Sequence, residues 1–247
     1  MKQSARKEYL AALGIETWAL RSSPKAAQVG SPPAAPSAPT PSVSVPSTPA
    51  TARLGSQRED GADWAELRAR VAACTRCSLS ATRTQTVFGV GNLEAEWLIV
   101  GEAPGAEEDR RGEPFVGRAG QLLNSMLRAI GLAREQVYIA NVLKCRPPGN
   151  RDPSPAESAE CLPYLERQIA LLKPKIMLAV GRISARNLLK TDTPLGRMRL
   201  KVHSFGLAQV PLVVTYHPAY LLRTPADKRK AWEDLKFARE VCASVQR

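Results

Sequence analysis

Long apolar runs are missing from this chain of 247 residues. No stretch reaches the ~20 consecutive apolar residues that a membrane-spanning helix requires. The N-terminus also lacks the apolar core of a secretory leader. A membrane partner is not expected, and the expected location is cytoplasmic. Internal repeats are absent, which argues against a solenoid. Cysteine occurs only five times, and in a reducing compartment such residues serve more often as metal ligands or reactive thiols than as disulfides. Histidine occurs twice and phenylalanine four times, so the setting of each one carries information.

Acidic residues are also in deficit. Lys and Arg number 35 against 23 Asp and Glu, a formal charge of +12, and residues 61–247 alone carry +9. An excess of that size favours a polyanionic partner, because each neutralised phosphate releases counterions. A solubilising surface charge is the competing account. The 44% hydrophobic content is ordinary for a globular core.

Residues 23–60 read as a disordered linker: positions 23–52 hold eight of the twenty prolines, mixed with Ala, Ser and Thr. That composition buries too little apolar surface to offset chain ordering. Before it, residues 1–22 include Tyr9–Trp18, a short amphipathic helical pattern broken at Gly14. A helix of that length is marginal alone in water, so it reads either as a docking peptide, giving a possible protein partner through residues 1–20, or as a frayed tail.

From residue 61 strands and helices alternate. The pattern predicts helices over 62–73, 118–131 and 182–189, strands over 97–101, 137–143, 175–180 and 211–216, and a C-terminal helix from 225. Ser154-Pro155-Ala156-Glu157 marks a further helix start, with a capping serine, proline at the first helical position and glutamate three residues after the serine. The segment up to 210 reads as irregular or hairpin. Repeated strand–helix–strand units predict an α/β fold: three α/β/α layers around a central parallel sheet of about four strands, preceded by a disordered N-terminal extension.

Chemistry-bearing residues gather after two of those strands. Trp97–Val100 leads into Gly101-Glu102-Ala103-Pro104-Gly105-Ala106-Glu107-Glu108-Asp109 and then Gly112-Glu113-Pro114-Phe115-Val116-Gly117-Arg118-Ala119-Gly120-Gln121. Leu212–Tyr216 delivers His217-Pro218-Ala219-Tyr220-Leu221-Leu222-Arg223. Both runs fall at carboxyl ends of strands, where open α/β sheets bind ligands. Four cysteines pair as Cys74-x2-Cys77 and Cys145-x15-Cys161. Structural zinc is the default for four cytosolic thiolates, and none of the common ferredoxin spacings matches. Spacing alone leaves open zinc, a cluster, or four small buried hydrophobes. Cys242 falls in the last helix and reads as core filler.

Taken together, these elements resemble the iron-sulfur uracil-DNA glycosylases of bacteria and archaea, the type called family 4, over roughly residues 61–247. The resemblance implies a monofunctional, monomeric enzyme that hydrolyses the N-glycosidic bond of uracil flipped out of DNA, initiating base-excision repair. It assigns Cys74, Cys77, Cys145 and Cys161 to a structural 4Fe-4S cluster. On the family pattern Glu102 and Glu108 share the water-positioning and sugar-facing work, whereas Glu107 and Asp109 read as a solvated turn. Phe115, in a Gly/Pro-rich loop, suits stacking on the extruded base, with core packing as its alternative. Asn141 interrupts an apolar strand. Its amide can accept from uracil N3–H and donate to O4, a pattern cytosine reverses.

Asn150 falls at a position the family uses near substrate, where an ordinary turn role competes. His217 resembles the donor to uracil O2, and His203 reads as incidental. Gly117, Gly120 and Gln121 would bring backbone close to DNA at a helix start. Leu221 or Leu222 would wedge into the vacated stack while Arg223 grips phosphate, although both leucines could instead pack under the final helix. Two rivals remain: a catalytically silent DNA-binding adaptor, disfavoured because it has no need of Glu102, Phe115, Asn141 and His217 together, and a redox iron-sulfur protein.

Overall fold

The computed structural model describes residues 63–245. The expectations for residues 1–22 and for the linker lie outside that range. Helix α1 (Trp64–Ala72) starts at Asp63, whose carboxylate accepts from the Glu66 amide. Strands β1 (Val90–Gly91) and β2 (Trp97–Gly101) follow, then α2 (Ala106–Arg111), α3 (Arg118–Ala129) and β3 (Tyr138–Asn141). After them come α4 (Pro155–Leu172), β4 (Ile176–Val180), α5 (Arg182–Leu189), α6 (Leu195–Met198), β5 (His203–Phe205), β6 (Val210–Thr215), α7 (Pro218–Arg223) and α8 (Lys228–Ser244).

The strands form one sheet in the order β1-β3-β2-β4-β6-β5. Its four inner strands run parallel, matching the expected sheet, and β1 and β5 close the edges antiparallel. Two-residue β1 carries no sequence signal, because so short a segment shows no period. The stretch before 210 resolves into the hairpin β5–β6. Every residue of β2, β3 and β4 is buried, as a parallel sheet covered on both faces requires.

Alternation along the strands sorts the core into two layers. Leu98, Val100, Tyr138, Ala140, Met177 and Val214 face α1, α4 and α5, while Trp97, Ile99, Ile139, Leu178 and Val213 face α3 and α8. Among the described residues no helix is long and apolar enough to cross a membrane.

The start of α4 follows the predicted device. Ser154 Oγ accepts from the Glu157 amide at 3.2 Å, and Glu157 returns the bond to the Ser154 amide at 2.8 Å. The Arg151 guanidinium grips the same carboxylate and holds it down at about 2. At the other side of the sheet, fully buried Asp234 accepts from Arg199 Nε at 2.8 Å and from Thr215 Oγ1 at 2.8 Å. This pair ties α8 to the loop after α6 and to the end of β6. Replacing Asp234 with Ala strands the Arg199 guanidinium in a site built for its partner. We expect Asp234→Ala to lower unfolding stability by about 3–5 kcal/mol, read as a fall in the urea midpoint.

Candidate functional site

The inner strands deliver their carboxyl ends to one cleft of about 660 Å³. The chain leaves β2 toward β3 on one side, then crosses to β4 on the other. This reversal opens a crevice between the loops after β2 and β4, the place where doubly wound sheets bind ligands. Glu102, Glu108, Phe115, Asn141, Asn150, His217 and Arg223 all line the cleft. Residues from five separate segments of the sequence therefore meet at one cavity.

Asn141 ends β3 and is 2% exposed, yet its Oδ1 has no hydrogen-bond partner. Buried polar atoms are almost always satisfied, so an unpartnered amide oxygen on a residue that lines a cleft marks a place shaped for an incoming donor. Beside it lies Phe115, whose ring centroid is 5.7 Å from that of His217 at an interplanar angle of 30°. A Cβ at Gly101 would fall 2.2 Å from Asn141 Oδ1 and 2.7 Å from Phe115 Cε2. Glycine at the end of β2 is thus what lets amide and ring approach.

The Phe115 backbone is held in the left-handed region at φ 54°, which costs on the order of 1–2 kcal/mol for a residue with a Cβ. Three residues hold it there. Arg134 donates to the Pro114 carbonyl at 2.6 Å and to the Phe115 carbonyl at 3.3 Å. Glu108 Oε1 accepts from the Val116 amide at 3.0 Å and the Gly117 amide at 3.2 Å, next to the N-terminus of α3. Gly120 in α3 leaves room for the Phe115 carbonyl, which would lie 1.7 Å from a Cβ there.

His217 caps α7. Its Nδ1 accepts from the Ala219 amide at 3.1 Å. Burial above all, then the nearby Arg223 charge, push its pKa down to about 4, with Glu108 opposing. The ring is therefore neutral near pH 7, and with Nδ1 acting as acceptor the proton resides on Nε2. Gly181, at φ 103°, makes room for it, since a Cβ there would sit 3.0 Å from His217 Cβ. Glu102 has the opposite tendency. Burial raises its pKa to about 7, with Asp152 adding and Arg182 opposing. Arg182 and Asp152 pair at 3.1 Å across the cleft wall.

Half-buried groups of unlike pKa around a polar-and-apolar cleft are the mark of a chemical site. The family model described as the uracil DNA glycosylase superfamily matches residues 88–236. The chain belongs to that superfamily. It is similar to the type-4 uracil-DNA glycosylase of Archaeoglobus fulgidus, 44% identical over 182 residues, which span 71% of this chain and 92% of that protein. The type-4 enzyme of Pyrobaculum aerophilum is 44% identical over 70% of this chain and 91% of its own length. That of Thermotoga maritima is 42% identical over 69% and 90%.

Within this superfamily member several expected residues do not face the cleft. Leu221 is 1% exposed and packs in the core with α8, so it cannot serve as a wedge. Its neighbour Leu222 is the exposed leucine, at 37%. Gly117 caps α3 and serves Glu108 through its amide, and Gln121 is exposed on α3 outside the cleft. Asp109 is not a solvated turn residue: it is 3% exposed and accepts from the Thr84 amide and hydroxyl. Asn150 lines the cleft from a left-handed turn, its Oδ1 accepting from Arg146 Nε at 2.7 Å. His203 bonds the Met198 carbonyl on an edge strand, away from the site. Sequence reasoning missed Arg134, Asp152, Arg182, Tyr216 and Tyr220. For Arg134 no local signal existed, because its partners Asn124, Phe115 and Pro114 lie 10, 19 and 20 positions away.

Cys74, Cys77, Cys145 and Cys161 border a second cavity behind β3, together with Arg83, Lys144 and Tyr164. Arg83 Nη1 lies 3.1 Å from Cys145 Sγ, and the Lys144 amide lies 3.2 Å from Cys161 Sγ. Burial pushes the Cys161 thiol up to about 11 and raises Cys145. Among the described residues no three ligating side chains are drawn together to hold a single metal ion. Four sulfurs around one cavity, two of them already met by donors, nonetheless suit a thiolate-bound group.

The Phe115 loop provides a direct test of this construction. Arg134→Met removes both carbonyl contacts while keeping the stem. It should cost about 1.5–3 kcal/mol of stability per charged hydrogen bond lost and should speed hydrogen exchange at the Val116 and Gly117 amides.

Proposed function

We propose that this protein removes uracil from DNA by hydrolysing its N-glycosidic bond, with residues 61–247 as the glycosylase domain. The observation that carries the reading is the unpartnered amide oxygen of buried Asn141 at the floor of the cleft, beside the Phe115 ring. A base must leave the duplex to reach such a floor. Phe115 stacks on it, a contact worth about 1–3 kcal/mol per base. Asn141 Oδ1 accepts from uracil N3–H while its amide nitrogen donates to O4. Cytosine offers an acceptor at N3 and a donor at the neighbouring position, so the same amide leaves it unpaired and rejects it.

As the bond between C1′ and N1 breaks, its electron pair leaves with the uracil and the sugar becomes oxocarbenium-like. His217, neutral and protonated on Nε2, donates to the developing negative charge at O2 without first having to titrate. Glu102 holds the water that adds to C1′ and takes its proton, which requires the carboxylate form. Glu108 fixes the Phe115 loop through Oε1 and places its remaining oxygen beside Gly105, where a Cβ would fall 2.7 Å from Oε2. Arg223 and the other basic residues of the cleft rim, Arg151 and Arg182, bind phosphates. Their contribution weakens as salt rises.

Cys74, Cys77, Cys145 and Cys161 hold a 4Fe-4S cluster. When bound it supplies a cross-link between the segment after α1, the loop after β3 and α4. No step of the hydrolysis runs through it. A visible absorbance band in the purified protein, lost when Cys145 is replaced by Ser, is the expected spectroscopic sign.

An oligonucleotide with a single uracil, incubated with the protein and then treated with alkali, should break at that position, and its cytosine counterpart should stay intact. His217→Ala should lower the single-turnover rate by about 10²–10³-fold. An intact uracil strand with the unaltered protein would overturn the reading.

The pH dependence follows from Glu102. Its pKa is raised to about 7 and its working form is ionised, so excision should be lost as pH falls through about 7 and level off above it. His217 stays neutral throughout that range. Glu102→Gln should remove the inflection and cut the rate by about 10²–10⁴-fold. A profile of unchanged shape in that variant would exclude Glu102 as the titrating group.

A further inference from the structure

Lys144 has no part in the chemistry described above, yet it is 1% exposed. Burying an ammonium costs several kcal/mol, and an apolar side chain of the same length would fill the space without that cost. Packing alone therefore does not explain a lysine here. Its bonds do. Nζ donates to the Asn141 carbonyl at 2.9 Å and to Gln168 Oε1 at 2.6 Å. Gln168, fully buried on α4, donates in turn to the Phe88 carbonyl at 3.0 Å and to the Tyr138 hydroxyl at 3.2 Å. The end of β3 is thus clamped to α4 through a buried polar network.

The same lysine borders the cysteine-lined cavity, and its own amide donates to Cys161 Sγ. Lys144 is where the two sites meet. One end of the residue touches the sulfur ligand set, and the other holds the backbone of the residue whose amide faces the cleft.

We infer that Lys144 is a positioning residue: through the Asn141 carbonyl and Gln168 it sets the height of the Asn141 amide in the cleft and ties that height to the cysteine-lined cavity. The inference rests on the proposed reading of uracil by Asn141. The ammonium touches neither base nor sugar. Its effect falls on uracil recognition, because a displacement of Asn141 on the scale of an ångström breaks paired bonds to N3 and O4 while leaving phosphate contacts intact.

The test uses full-length protein carrying its metal centre, with Lys144→Met and Gln168→Met compared against the parent. Three quantities are read: inhibition by free uracil, affinity for an oligonucleotide without uracil, and the visible spectrum. Both variants should keep the spectrum and the oligonucleotide affinity. Each should weaken inhibition by uracil about tenfold or more, in line with the roughly 10²-fold penalty of a 1 Å misplacement. Combined, they should do little more than the worse single change, as members of one network do.

Unchanged uracil inhibition in Lys144→Met overturns the inference. Should that variant fail to fold, unchanged inhibition in Gln168→Met does so. Loss of spectrum and uracil inhibition together in both variants also overturns it, because the effect then belongs to the metal centre. A parent protein that uracil does not inhibit overturns instead the reading of Asn141 on which the inference stands.

Discussion

The site depends on one close approach: the Asn141 amide and the Phe115 ring both close over the bare Cα of Gly101. Any side chain at that strand end would drive the two apart. Everything around it serves to make the approach stable. Gly120 and Gly181 clear space for the Phe115 carbonyl and the His217 ring, and Arg134 and Glu108 clamp the loop from its carbonyl and amide sides. The left-handed Phe115 is tolerated because neighbouring contacts over-determine it, the usual condition for strain at a functional site.

Desolvation sets the electrostatic character of the cleft. The same removal of water drives His217 down to about 4 and Glu102 up to about 7, since burial opposes whichever form is charged. A neutral donor and a carboxylate poised near neutrality thereby stand in one cavity. Pairing decides which buried groups escape this pull. Glu157, held by Arg151 and the Ser154 amide, sits far below its usual value.

Much of this arrangement was legible in the chain. The four inner strands, the capped start of α4 and the cluster of Glu102, Phe115, Asn141 and His217 all carry local signals: β-branched runs, a serine–proline–glutamate boundary, or an aromatic and an amide outside their ordinary settings. Leu221 and Leu222 show where such signals end. They are identical neighbours in sequence, and only the docking of α7 against the core decides which is buried. Asp109 is a similar case, since a carboxylate among Glu107 and Glu108 reads as solvated until Thr84 is brought to it from 25 positions away.

Composition and local pattern by themselves determined the layered α/β class, the strand ends at which chemistry gathers, and four of the side chains that line the cleft, Glu102, Phe115, Asn141 and His217. Those properties follow from hydrophobic period, capping and residue type, all of which act within a few positions. The tertiary structure alone decided the pairing of Arg134 with the Phe115 loop, the protonation of Glu102 and His217, and the bridge from Lys144 to Asn141 and Gln168. Each depends on contacts between distant segments or on the exclusion of water, and both are properties of the packed cavity, with no counterpart in the linear chain.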